Sequence, residues 1–117
     1  MKRLFSNRAL VALVAPLGLV VVCMATGAAA GAAKPATHTV AIDGTAFATA
    51  DLTVKAGDSV VWVNKDPYPH TATSKAAGFD SRDIAPAKSW TYTAKTKGDF
   101  AYLCTIHPSM KGTLHVR

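Results

Sequence analysis

The sequence predicts an all-β domain, a sandwich of two sheets joined by Greek-key connections. Two observations carry that expectation. Short β-branched and aromatic runs recur at intervals of roughly 8–12 residues, each closed by Gly, Pro, Asp or Asn. Beyond residue 30, no stretch of ordinary helix length shows the 3.6-residue apolar period.

The strands follow in order. His38-Thr39-Val40-Ala41-Ile42 alternates and is closed by the turn pair Asp43-Gly44. Phe47 is a candidate core residue of the irregular stretch behind it. Leu52-Thr53-Val54-Lys55 is a short strand ended by Ala56-Gly57-Asp58. Ser59-Val60-Val61-Trp62-Val63-Asn64 is the strongest strand signal, β-branched and aromatic throughout, as a central strand can be. Lys65 to Pro69 carries two prolines and is a loop. Thr71-Ala72-Thr73 resumes a strand. Lys75 to Lys88 stays open between a short helix and a surface loop. Ser89-Trp90-Thr91-Tyr92-Thr93-Ala94 alternates aromatic residues with Ser, Thr and Ala, the mark of a half-buried strand. After the turn Lys97-Gly98-Asp99, Phe100-Ala101-Tyr102-Leu103-Cys104 brings a cysteine to a strand end. Gly112 to Arg117 closes the chain as a last strand.

The residues ahead of these strands have a different character. Lys2, Arg3 and Arg8 are followed by a run of seventeen mostly apolar residues, Ala9 to Ala25, and then by Ala28-Ala29-Ala30. This is the pattern of a secretory signal peptide over 1–30, with 31–37 a flexible lead-in and 38–117 the folded domain. An uncleaved membrane anchor is the rival, but Pro16 and Gly18 interrupt a run already at the short limit for a span. A lipid on Cys23 is a third option, although Val20-Val21-Val22 lacks the small residue expected before it. Export implies a periplasmic or secreted protein.

Cleavage would leave 87 of the 117 residues, enough for one core. Ten Lys and Arg would then face seven Asp, a charge of about +3 instead of the +6 of the whole chain. With no basic run, that balance points away from nucleic acid. Cys104 would stand alone, unable to form an internal disulfide. A single leftover cysteine in an exported chain implies intermolecular pairing, a reactive thiol or a metal ligand.

Its neighbours favour the metal. Cys104-Thr105-Ile106-His107-Pro108-Ser109-Met110 offers a thiolate, an imidazole and a thioether, with two residues between each pair. His70, at the end of the Pro-rich loop, supplies a second imidazole. Two His and one Cys with a weak axial Met are the donors of a blue electron-transfer copper site. Structural zinc prefers four firm N or S donors, and a thioether is a poor substitute. His38 and His115 lie in alternating strands without ligand-type neighbours and are expected at the surface or an edge. A thiol hydrolase built on Cys104 and His107 would lack an orienting third group. A copper oxidase would need further ligands. The expected role is a one-electron carrier and not an enzyme; a copper-binding or delivery protein without a shuttle role is the alternative.

The stretch from about Thr37 to Arg117 resembles the cupredoxins, the small blue copper proteins, and most closely the amicyanin- and plastocyanin-like group. The resemblance rests on Val60 to Asn64, on Pro69-His70, and on the short Cys104–Met110 loop. It implies an eight-stranded sandwich and one type 1 copper ion cycling between Cu(I) and Cu(II). His70, Cys104 and His107 would ligate it, with Met110 axial. It further implies periplasmic or extracellular one-electron shuttling. The mature protein is expected to be a monomer outside the membrane, with redox partner proteins docking transiently on an apolar patch around the copper formed by Pro69, Ile106, Pro108 and Met110. Asn64 would tie the two ligand loops together. Amicyanin-like loops usually carry Pro where this chain has Ile106, so the Ile106 N–H is expected to donate to the Cys104 sulfur.

Overall fold

The computed structural model describes residues 34–117, with Gly18 alone before them. The expected signal peptide and the first residues of the lead-in therefore lie outside the described residues. Contacts divide the chain into Met1–Gly31 and Ala32–Arg117, and only the second unit is described below.

Among the described residues there are eight strands and no helix: β1 Thr37–Ile42, β2 Asp51–Val54, β3 Ser59–Asn64, β4 Thr73–Ser74, β5 Phe79–Asp80, β6 Ser89–Thr93, β7 Gly98–Leu103 and β8 Lys111–Val116. They form a three-stranded sheet, β1-β3-β6, and a five-stranded sheet, β2-β8-β7-β4-β5. The chain crosses between sheets repeatedly. As a result β1 runs parallel to β3 and β2 parallel to β8, while the other pairs are antiparallel.

The middle strand of the smaller sheet is β3, the strongest run in the sequence. Its β-branched residues suit the pleat, and Val60, Trp62 and Asn64 point inward on alternate positions. Trp62 is fully buried at the centre of the core. Its ring centroid lies 5.4 Å from Tyr102, 5.6 Å from Phe79 and 5.8 Å from Trp90. Val40 and Ile42 of β1 pack beside it, and Val54, Leu114 and Val116 complete the core from the other sheet.

The open stretch 75–88 is mostly surface loop and holds no helix, but it carries one short strand that neither alternative included. Phe79-Asp80 forms β5, a two-residue edge strand paired with β4. Ile84 then bridges back to His70. The strand expected at Thr71 begins at Thr73 instead.

At one end of β3, Asp58 gathers the chain. Its carboxylate accepts the Ala36 and Lys55 amides at 2.9 and 3.0 Å and the His38 Nε2–H at 2.9 Å. At the other end, Asn64 opens the loop that carries His70.

Candidate metal centre

Each donor owes its place to a neighbouring strand or bridge. His70 is held by a backbone bridge with Ile84, N–O 3.2 Å one way and 2.7 Å the other. Cys104 follows β7 directly. Met110 precedes β8 directly, so the β7–β8 pair brings the two ends of the Cys104–Met110 loop together. Backbone bonds close the loop on itself, from Cys104 N–H to the Met110 carbonyl at 3.1 Å and from Met110 N–H to the His107 carbonyl at 2.9 Å.

The two loops meet at the sulfur. Cys104 Sγ lies 3.8 Å from His70 Nδ1 and 4.0 Å from His107 Nδ1. One donor atom from each of the three residues lies within 4.8 Å of the other two. Metal–nitrogen and metal–sulfur bonds of about 2.0–2.3 Å, set at a trigonal angle, separate their donors by about 3.7 Å. The cluster therefore has the span of one shared ion. His70 and Cys104 are fully buried, and His107 is half-buried. Met110, at the end of the loop, is buried, at 3% exposure. His38 and His115 stand apart, paired with Asp58 and Asp99.

Several residues that shape the site gave less signal in the sequence. Asp66, four residues before His70, accepts His70 Nε2–H at 2.7 Å. That bond fixes the ring's tautomer and leaves Nδ1 as the free donor, the usual way an outer carboxylate orients a metal-binding His. Burial pushes the Asp66 carboxyl up. Hydrogen bonds from the Thr45 amide, His70 and the Gly44 amide more than offset this and hold it below the usual carboxylate range.

Thr71 joins the two loops. Its N–H donates to Cys104 Sγ at 3.3 Å, and its Oγ1 accepts the Thr105 amide at 2.8 Å. Asn64 does not perform that task. Its Nδ2 donates to the carbonyls of Tyr68 and Ile84 at 2.8 and 2.9 Å, and its Oδ1 accepts the Asp66 amide at 2.9 Å. Its fully buried side chain joins the His70 loop to the segment around Ile84 instead. The Ile106 expectation is corrected as well. The loop amide that reaches the sulfur is that of His107, at 3.4 Å. Ile106 instead turns outward, 43% exposed.

A β-sandwich with a His-Cys-His cluster at the ends of its loops is the architecture of a small metalloprotein. The profile of the family described as "Cupredoxin-like domain" matches residues 14–116, and the chain belongs to that family. Amicyanin of Paracoccus versutus is 31% identical over 82 residues, 66% of this chain and 62% of that protein. Amicyanin-alpha of Methylorubrum extorquens is 33% identical over 75 residues, covering 60% of this chain and 63% of its own length. The match thus spans under two thirds of these two relatives. Plastocyanin of Scenedesmus fuscus is 31% identical over 84 residues, with 61% of this chain and 86% of that protein covered. The crystal structure of amicyanin from Paracoccus versutus superposes with a TM-score of 0.63 at 28% identity, covering 69% of this chain and 81% of that one.

Proposed function

We propose that this chain is an exported one-electron carrier with a single copper ion held by His70, Cys104 and His107, with Met110 as a weak axial ligand. The observation that carries the proposal is the convergence of His70 Nδ1, Cys104 Sγ and His107 Nδ1 from two loops onto one point. The donor set fits copper: two imidazoles and a thiolate, with a buried thioether on the same loop. A similar structure, at TM-score 0.65 and 28% identity, is a Cu(I) form of an amicyanin variant.

Bound copper supplies a one-electron couple between Cu(I) and Cu(II). The protein's part is to hold its donors still while the charge changes. Asp66 fixes His70 from behind. The Thr71 and His107 amides, one from each loop, point at the thiolate and favour the electron-rich, reduced site. The half-buried His107 edge is the exit to a partner. Around it Tyr68, Pro69, Ile106 and Pro108 are exposed and form an apolar face suited to the small, transient interfaces of redox pairs. Met110 is buried and takes no part in that face; Tyr68 takes its place.

The test is to load the folded domain with Cu(II), record its visible and electron paramagnetic resonance spectra, and cycle it electrochemically. An intense thiolate-to-copper band, lost in Cys104→Ser, with fast reversible cycling is the expected result. A colourless complex would overturn the copper assignment. A coloured but electrochemically sluggish one would support a delivery protein instead.

A further inference from the structure

Tyr68 is restrained far more than an exposed loop residue requires. Pro67 and Pro69 flank it, and the second ring bars Tyr68 from helical backbone angles. Its carbonyl accepts Asn64 Nδ2–H at 2.8 Å. Its hydroxyl meets Thr45 Oγ1 at 2.7 Å. Yet 39% of the residue is exposed, so burial is not what holds it.

Its ring lies against both imidazoles. The centroid is 5.1 Å from His70 at 69° and 5.7 Å from His107 at 51°, while the two imidazoles are 4.9 Å apart. His70 has Asp66 behind it. Among the described residues, no carboxylate holds the His107 ring in the same way, and Tyr68 packs against it from the solvent side.

Thr45, the far anchor of the phenol, is strained. Its φ is 59°, in the left-handed region that β-branched residues avoid. Asp66 enforces this conformation by accepting the Gly44 and Thr45 amides at 2.8 and 2.9 Å. The same carboxylate accepts His70 Nε2–H. The contacts thus close a circuit from His70 through Asp66, Thr45 and Tyr68 and back to both imidazoles. Gly44 and Thr45, both at positive φ, form the tight turn closed by the Asp43 N–H and the Ala46 carbonyl at 3.0 Å, and that turn sets the Thr45 hydroxyl beside the phenol.

We infer that Tyr68 is a positioning residue, a brace that Thr45 aims across the His70 and His107 rings to fix the half-buried imidazole for the metal. The inference rests on the assignment of both histidines as ligands. Tyr68→Phe and Thr45→Gly cut the same hydrogen bond from opposite ends. Thr45→Ser keeps the hydroxyl, and Thr45→Gly also relieves the backbone.

Two readouts decide the matter. In the metal-free protein, proton NMR measures the contacts between ring 68 and the His107 ring. In the Cu(II) protein, nitrogen hyperfine couplings and the rate of copper loss to a chelator report on His107. Tyr68→Phe and Thr45→Gly should each loosen the ring contacts and speed copper loss about threefold, the scale of one partly exposed hydrogen bond. The double variant should go no further than either single one. Thr45→Ser should match the wild type, and Thr45→Gly should unfold no more easily than it. Unchanged ring contacts and couplings in both single variants, additive effects, or a Thr45→Ser that behaves like Thr45→Gly would overturn the inference. A wild-type protein without the thiolate band would sink the ligand assignment alone, because the metal-free NMR still judges the brace.

Discussion

At Cys104 two amides reach the sulfur, and neither belongs to the residue that the loop sequence singles out. Thr71 and His107 donate at 3.3 and 3.4 Å, while Ile106 faces solvent. Ile106→Pro therefore removes no hydrogen bond from the thiolate, and the reduction potential should stay at the wild-type value in voltammetry. A clear fall would make Ile106 a donor after all. The ligands themselves were legible because Cys104, His107 and Met110 sit on seven consecutive residues, and chemistry alone marks them as a set. Asp66 and Thr71 were not, because an Asp or a Thr in a loop has many ordinary uses. Only the folded backbone, which turns the 66–70 segment back on itself and lays Thr71 beside Cys104, gives them a partner.

Among the elements, β7 and β8 decide where the thiolate stands, and their fit is close. Tyr102 of β7 lies over Gly112 of β8, its register partner. A Cβ at Gly112 would fall 2.4 Å from the Tyr102 ring, too near for any side chain. Gly112→Ala should cost about 1–3 kcal/mol of overpacking strain, seen as a lower urea midpoint with an unchanged slope. A midpoint equal to the wild type would show that the ring moves aside freely. The pattern of residues made β3 and β6 plain, since β-branched and aromatic alternation survives in any context. It hid β5, because Phe79-Asp80 is too short to have a period and exists only through its pairing with β4. Phe79 still matters, since its buried ring packs on Trp62 and Tyr92.

For the molecule as a whole, the Asp58 end of β3 is sensitive to acid. The hydrogen bond from His38, then those from the Ala36 and Lys55 amides, hold the Asp58 carboxyl at about 2. An unfolded Asp titrates near 3.9. The unfolded chain therefore takes up its proton first, and the stability this carboxylate contributes is complete above about pH 4 and fades between there and about pH 2. The lowered carboxyls of Asp80 and Asp99 act in the same direction. Asp58→Asn should flatten that decline in urea titrations run at descending pH, and a variant as acid-sensitive as the wild type would contradict it.

The seven-residue loop and the distant imidazole have one more effect. Three of the four proposed donors are neighbours in the chain, and His70 lies 34 residues from Cys104. A denatured polypeptide keeps neighbours together, so it can still grasp a soft ion through the local three. Any grip on the unfolded form subtracts from what an ion adds to the folded one. Copper should thus raise the melting temperature by less than its affinity for the native protein alone would give. His107→Ala, which weakens the local trio, should narrow that gap when both quantities are measured side by side.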